Sequence, residues 1–384
     1  AFLTGQGMEG YSYAWGDLRQ VDAGKALSLI EHVGGKPILA LLGRSRSSVG
    51  DYDLLVKWVR RGYHYFEEFG LPQIPADDRE KLKKAERLFA PLVKRLDEAN
   101  RTLIRALADE QFGLVIDARF KSRQFHKELP AMDRAMPMVE PALVFGVSDA
   151  RALRKAMAEY RNLFNEGVET MRKVVPDPSD IPPIAIPEPK TSQTGSGTLY
   201  TFEFPEEWGL TKELVVSLGL SDHVGVVAVT DAHATRLLTP TPPAFRGVLA
   251  DPARPRAMAA SFHWAGLVDA ATPWVEFAVR QAVPEDRPSA GETPKGKRPP
   301  KAAKPETKKE DSAKPVHAKK PAEKKAAEGK KPEPRKPKAR KASVMDQVRV
   351  VLKVLKVIPA ITGETYREGD ALVTHTLVEV RDID

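Results

Sequence analysis

The sequence predicts an α+β fold, with mostly antiparallel sheets packed against long amphipathic helices and a disordered Lys/Pro/Ala-rich insertion. Three observations point there. Long stretches repeat apolar residues at intervals of three and four, the period of one helix face. Several short stretches alternate or run apolar, as strands do. A basic tract late in the chain has almost no large apolar residue and cannot offset its own ordering entropy.

Taken in order, the first fifty residues are rich in glycine and aromatics, with a short helix expected from Ala26 to His32 before Gly34-Gly35. Residues 51–69 predict a helix with one broad apolar face: Leu54, Leu55, Trp58, Val59, Tyr63, Phe66 and Phe69. Asp77 to Asp109 is the clearest helix, with Leu82, Ala85, Phe89, Leu92, Leu96, Ala99, Leu103 and Leu107 in step; Pro91 predicts a kink or a junction. Phe112 to Phe120 and Ala142 to Val147 read as strands, and Asp149 to Val174 as a helix. The prolines of PDPSDIPPIAIPEPK hold that segment extended. Thr198–Phe204, Val224–Val229 and Arg256–His263 read as strands, and Val268–Val283 as a helix. A helix at 343–358 and two strands, Thr362–Arg367 and Ala371–Val380, joined by a Glu368-Gly369-Asp370 turn, close the chain.

One echo stands out. VFGVSDARALRKA (Val144–Ala156) aligns without gaps to VVAVTDAHATRLL (Val226–Leu238). Each is a strand ending in Ser or Thr, an N-cap and a helix start. Two related subdomains would explain it; so would convergence, since strand-to-helix junctions favour such residues anywhere. The expected organisation is an N-terminal helical and α+β subdomain (1–175), a Pro-rich connection (176–197), a second α+β subdomain (198–286), a disordered basic linker (287–342), and a helix plus hairpin (343–384) docking back on the second subdomain.

Charge is segregated. The chain carries +8 overall, yet residues 291–341 alone hold 19 Lys and Arg against 7 Asp and Glu, leaving 41 against 45 elsewhere. The folded part is therefore slightly acidic, and attraction to polyanions belongs to the tract. Its contact candidates are Lys297, Arg298, Lys308, Lys309, Lys319, Lys320, Lys324, Lys325, Lys330, Lys331, Arg335 and Lys336. The tract has no aromatic residue on which bases could stack. A loop this long adds little closure entropy, so a passive tether is the first reading.

Chemistry is sparse. There is no cysteine, which removes disulfides, thiol nucleophiles and Cys-ligated metals. GQGMEG (Gly5, Gly7, Gly10) matches the dinucleotide-binding glycine spacing but lacks the preceding strand and following helix that meet a pyrophosphate. The histidines (His32, His64, His126, His223, His233, His263, His317, His375) show no metal-ligand spacing. Glu67-Glu68, Asp77-Asp78 and Glu206-Glu207 are adjacent and diverge on a helix, so they are not preset acid–base dyads. Tyr11, Tyr13 and Trp15, with Trp58, Tyr63 and Tyr65, could line a ligand groove, although such groups more often form core and rim. No cofactor and no apolar run of membrane-spanning length is indicated.

KPILALLGRS, YDLLVKWVRRGYHYFEEFGLPQIP, GLVIDARFKSRQFHKELP, GTLYTFEFPEEWGL and DALVTHTLVEVRDID resemble a group of uncharacterised exported proteins of planctomycete-type bacteria, over roughly Gly34 to Asp384. The resemblance implies export through a removed leader and a periplasmic or cell-envelope location. The small residue at Ala1 suits such cleavage, and no functional residue is carried over. The expectation is a non-enzymatic exported binding or structural protein. Its alternatives are polyanion or nucleic-acid binding through 291–341, with an anionic envelope component or nucleic acid as partner, and a hydrolase whose composite site would show as a pocket holding a His with a carboxylate partner.

Overall fold

A computed structural model describes residues 1–16, 21–45, 49–107, 109–182, 184–282 and 344–381. The basic-tract residues named above, and the disorder expected there, lie outside the described residues.

The strands are β1 (Phe2–Thr4), β2 (Gly7–Ala14), β3 (Leu39–Arg44), β4 (Gln111–Asp117), β5 (Lys121–Ser122), β6 (Met136–Pro137), β7 (Glu140–Gly146), β8 (Lys190–Thr194), β9 (Gly197–Glu203), β10 (Val215–Leu220), β11 (Val224–Ala228), β12 (Met258–Phe262), β13 (Ile361–Glu368) and β14 (Ala371–Glu379). The helices are α1 (Val49–Tyr65), α2 (Ala76–Ala106), α3 (Ala150–Val174), α4 (Asp231–Leu238), α5 (Trp264–Ala282) and α6 (Val344–Leu355). All strands but β5 and β6 join one 12-stranded antiparallel sheet, in the order β1-β2-β14-β13-β12-β3-β4-β7-β11-β10-β9-β8. The fold is α+β, and this one sheet takes strands from both sides of the connection at 176–197. The final hairpin pairs β13 with β12 and β14 with β2.

The sheet repeats itself about the junction between β3 and β12, with five strands on one side and seven on the other. In one copy the chain order is hairpin β1-β2, a 3-10 turn at Ser28–His32, β3, helices α1 and α2, then β4 and β7. In the other it is hairpin β10-β11, α4, β12, helices α5 and α6, then β13 and β14. Each hairpin pairs with the last strand of the other copy, β2 with β14 and β11 with β7, so the copies interlock. Helix α3 and hairpin β8-β9 have no counterpart among the described residues. This repeat is not the one the aligned segments suggested. Val144 and Val226 lie opposite each other on neighbouring antiparallel strands, at inequivalent places in the two copies. The likeness is local: Asp149 caps α3 through Arg151 and Ala152 N–H, and Thr230 caps α4 through His233 N–H.

One sheet face carries the core. Ala40, Leu42, Val115, Ala142, Val144, Val226, Ala228 and Ala259 pack under Leu27, Leu29 and Ile30 of the 3-10 segment, Leu237 and Leu238 of α4, and Leu249. The opposite face is open at Leu41, Phe112, Leu143 and Met258. At 31 residues, α2 is a rod of about 46 Å. It runs through Pro91 as one helix and pairs with α3. The sequence pattern does not mark β1, β2, β3, β8 or β10 as strands, and the glycine-spaced GQGMEG stretch supplies the Gly5-Gln6 turn and the start of β2 in hairpin β1-β2. Gly7 must be glycine there: its φ is +144° and a Cβ would stand 2.0 Å from Val378 O.

Candidate functional site

Two adjoining clefts open at the end of the sheet where β3 begins, β4 ends and α5 starts. The first, about 430 Å³, is lined by Lys36, Asp117, Lys121, Arg134, His263 and Asp269, among others. The second, about 400 Å³, shares Lys36 and His263 and adds Arg246, Glu379 and Arg381. Backbone bonds fix the junction: His263 N–H donates to Ile38 O (2.7 Å), Ala265 N–H to Pro359 O (3.2 Å), and Trp264 Nε1–H to Leu355 O (2.7 Å). The His263 ring lies against the first turn of α5, where Gly266 makes room; a Cβ there would fall 2.2 Å from Nδ1.

The charges around the clefts are unevenly satisfied. Asp117 is bound by Arg119 (2.8 Å) and Arg236 (3.3 Å), Asp269 by Lys356, and Arg134 by Glu276 (2.9 Å). Among the described residues, Lys36, Lys121, Arg246 and Arg381 have no carboxylate partner. Burial pushes the pKa of His263 below its ordinary value; Lys36 and Arg381 push the same way and Asp269 opposes. The ring is neutral at pH 7, and its side chain makes no hydrogen bond among the described residues.

Behind the first cleft lies a buried polar network. Glu140 Oε2 accepts from the backbone N–H groups of Arg119 (2.8 Å) and Phe120 (2.7 Å), and Oε1 accepts from Thr230 Oγ1 (2.9 Å). Arg236 reaches both Asp117 and Glu140. His233, on α4, is fully buried with no hydrogen bond at either ring nitrogen. Its pKa is pushed down to about 4, first by burial and then by Arg236.

The other sequence candidates take structural places. Tyr11 is stacked between Phe2 (5.8 Å) and His375 (4.1 Å), so both ring faces are occupied. Tyr13 of β2 stacks on Trp15 just beyond the strand, while Trp58, Tyr63 and Tyr65 belong to α1. His32 bonds Leu237 O, and His375 bonds Glu9. Asp78 pairs with Lys81, Glu68 with His64, and Glu206 with Lys212, all at the surface. No metal-holding group of side chains occurs among the described residues. The clefts draw on seven separate stretches of chain, so no spacing in the sequence marks them; the one local signal is a histidine placed between a strand and a helix.

No family model matches the sequence, no curated protein is similar to it, and no solved structure is similar to its fold.

Proposed function

We propose that the chain is a non-enzymatic binding protein, and that its ligand is a small anion, a carboxylate or phosphate ester, held in the paired cleft around Lys36 and His263. The observation that carries this is the charge imbalance. Four cations face the clefts without carboxylate partners, against one carboxylate, Glu379, without a cationic partner among the described residues, while Asp117 and Asp269 are already bound. An anion there gains charge-assisted hydrogen bonds from groups that are otherwise only hydrated. The composite-hydrolase alternative asks for His263 hydrogen-bonded to a carboxylate, and no such pair occurs among the described residues. The periplasmic or envelope location rests on the sequence resemblance; cell fractionation tests it.

The test is a phosphate titration followed by proton NMR of the histidine ring signals. His263 is expected to shift saturably, and the shift to vanish in Lys36→Glu. Binding should tighten as pH falls, because an anion favours the imidazolium that burial disfavours. An unmoved His263 signal in the wild type, or an equal shift in Lys36→Glu, overturns the proposal. Polyanion binding through residues 291–341, supported by the 19 cations there, is separated by heparin titration of a chain lacking them.

A further inference from the structure

The second cleft differs from the first in what it offers besides cations. Its floor is one end of the core face of the sheet. Ser261 of β12 pairs with Thr362 of β13, and Thr362 with Leu377 of β14; Glu379 lies two residues beyond Leu377, so these side chains share a face. Ser261, Thr362 and Glu379 all line the cleft. Ser261 and Thr362 are 6% and 2% exposed, and neither hydroxyl makes a hydrogen bond among the described residues. Their row is otherwise apolar, with Ala40 on one side and Leu377 on the other, and buried hydroxyls there call for a partner. Glu379 has no cationic partner among the described residues. Lys36, Arg246 and Arg381 are exposed around the same cleft, and Lys36 and Arg381 both act on the His263 ring. The first cleft has no serine or threonine in its lining, and its two carboxylates are already bound.

We infer that the ligand is a phosphate monoester of a sugar or other polyol, with its phosphate among Lys36, Arg246 and Arg381 and its hydroxyls on Glu379 and Ser261. The inference rests on the anion-binding reading of the clefts and narrows it. Charge selects the headgroup. Three cations against one free carboxylate leave an excess of two, and a phosphate monoester carries about two negative charges near neutral pH. A zwitterionic amino acid would set its amine on Glu379 and leave that excess in place. The free carboxylate selects the rest of the molecule. Its two oxygens only accept, so they need donors, and a pair of ligand hydroxyls supplies them without adding charge. The Ser261 hydroxyl both donates and accepts, which suits a third ligand hydroxyl. Phe245 and Pro359 add apolar wall, and at about 400 Å³ the cleft has the volume of a small-molecule pocket.

The experiment titrates the full chain with methyl phosphate and with glucose 6-phosphate, ribose 5-phosphate and glycerol 3-phosphate, reading each affinity from the His263 ring signal. Methyl phosphate has the same headgroup and no hydroxyl. At least one polyol phosphate should bind about tenfold or more tightly than methyl phosphate. Glu379→Gln should weaken that polyol phosphate and tighten methyl phosphate, because the headgroup loses a repelling neighbour. Ser261→Ala, which alters the floor without touching a charge, should narrow the margin by roughly threefold. Three results overturn this inference and leave the anion site standing: saturable shifts with no polyol phosphate above methyl phosphate, tighter binding of glutamate than of any of them, or a margin that survives in both variants. No shift with any phosphate overturns the anion site and this inference together.

Discussion

The buried histidine of α4 gives the sharpest prediction. His233 is fully buried, its ring makes no hydrogen bond among the described residues, and its pKa is pushed from 6.5 down to about 4. The unfolded chain takes up a proton as pH falls through 6.5, while the folded chain does not until about 4. Stability is therefore complete above pH 6.5, falls with acidification between 6.5 and 4, and is flat in this group below that. The shift corresponds to about 3 kcal/mol across the window. His233→Leu removes the titrating ring at similar volume and leaves Arg236 its bonds to Asp117 and Glu140. At pH 7 the variant should be about 1 kcal/mol more stable, because an unsatisfied N–H leaves the interior. The wild-type-minus-variant difference should then grow by about 3 kcal/mol between pH 7 and 4. Urea unfolding followed by circular dichroism, at several pH values, measures it. Parallel pH profiles for the two proteins would refute the account of a buried, neutral imidazole.

The other expectations follow from single contacts. Glu140→Ala leaves Arg119 N–H, Phe120 N–H and Thr230 without their acceptor and should cost about 3–5 kcal/mol by denaturant titration. Gly197→Ala should cost roughly 3 kcal/mol, since φ is +153° and a Cβ would lie 2.4 Å from Leu220 O. Gly369→Ala, at φ +58° with nothing within 4 Å, should cost only about 1 kcal/mol, and equal thermal shifts for the two would sink the steric argument. Deleting residues 291–341 should leave the melting temperature unchanged while the net charge moves from +8 to −4. A large drop in melting temperature would show that the tract holds the fold.

Much of the helical content was legible because it is periodic. Asp149 and the apolar run behind it announce α3, and the structure starts that helix at Ala150. The strands around the sheet centre were harder. Leu39–Arg44 is short and nearly all apolar, which fits a buried strand or a helix start equally well. β1 hides because it is only three residues long, and β2 because glycine, glutamate and serine interrupt its apolar residues; the other strand that pairs with β2, β14, lies more than 350 residues away. The repeat is invisible for a related reason. Its halves share a path through space, with 66–75 joining α1 to α2 where 283–343 joins α5 to α6, and no sequence pattern records a path. The clefts escaped because Lys36, Asp117, His263 and Arg381 meet only when β3, β4, β12 and β14 end at one rim. The α1 stripe was read correctly as a stripe. What the sequence does not say is that the protein leaves it uncovered.

The two edges of the sheet are guarded differently. β8 is polar (Lys190-Thr-Ser-Gln-Thr), and the segment before it holds Pro182, Pro187 and Pro189, which offer no N–H to an incoming strand. β1, at the far edge, is Phe2-Leu3-Thr4, with Leu3 almost wholly exposed. Strand-to-strand growth therefore has one receptive end. A sheet with two open edges can add copies indefinitely into a fibre. With one, two molecules meeting at β1 present only β8 outward, and the addition stops.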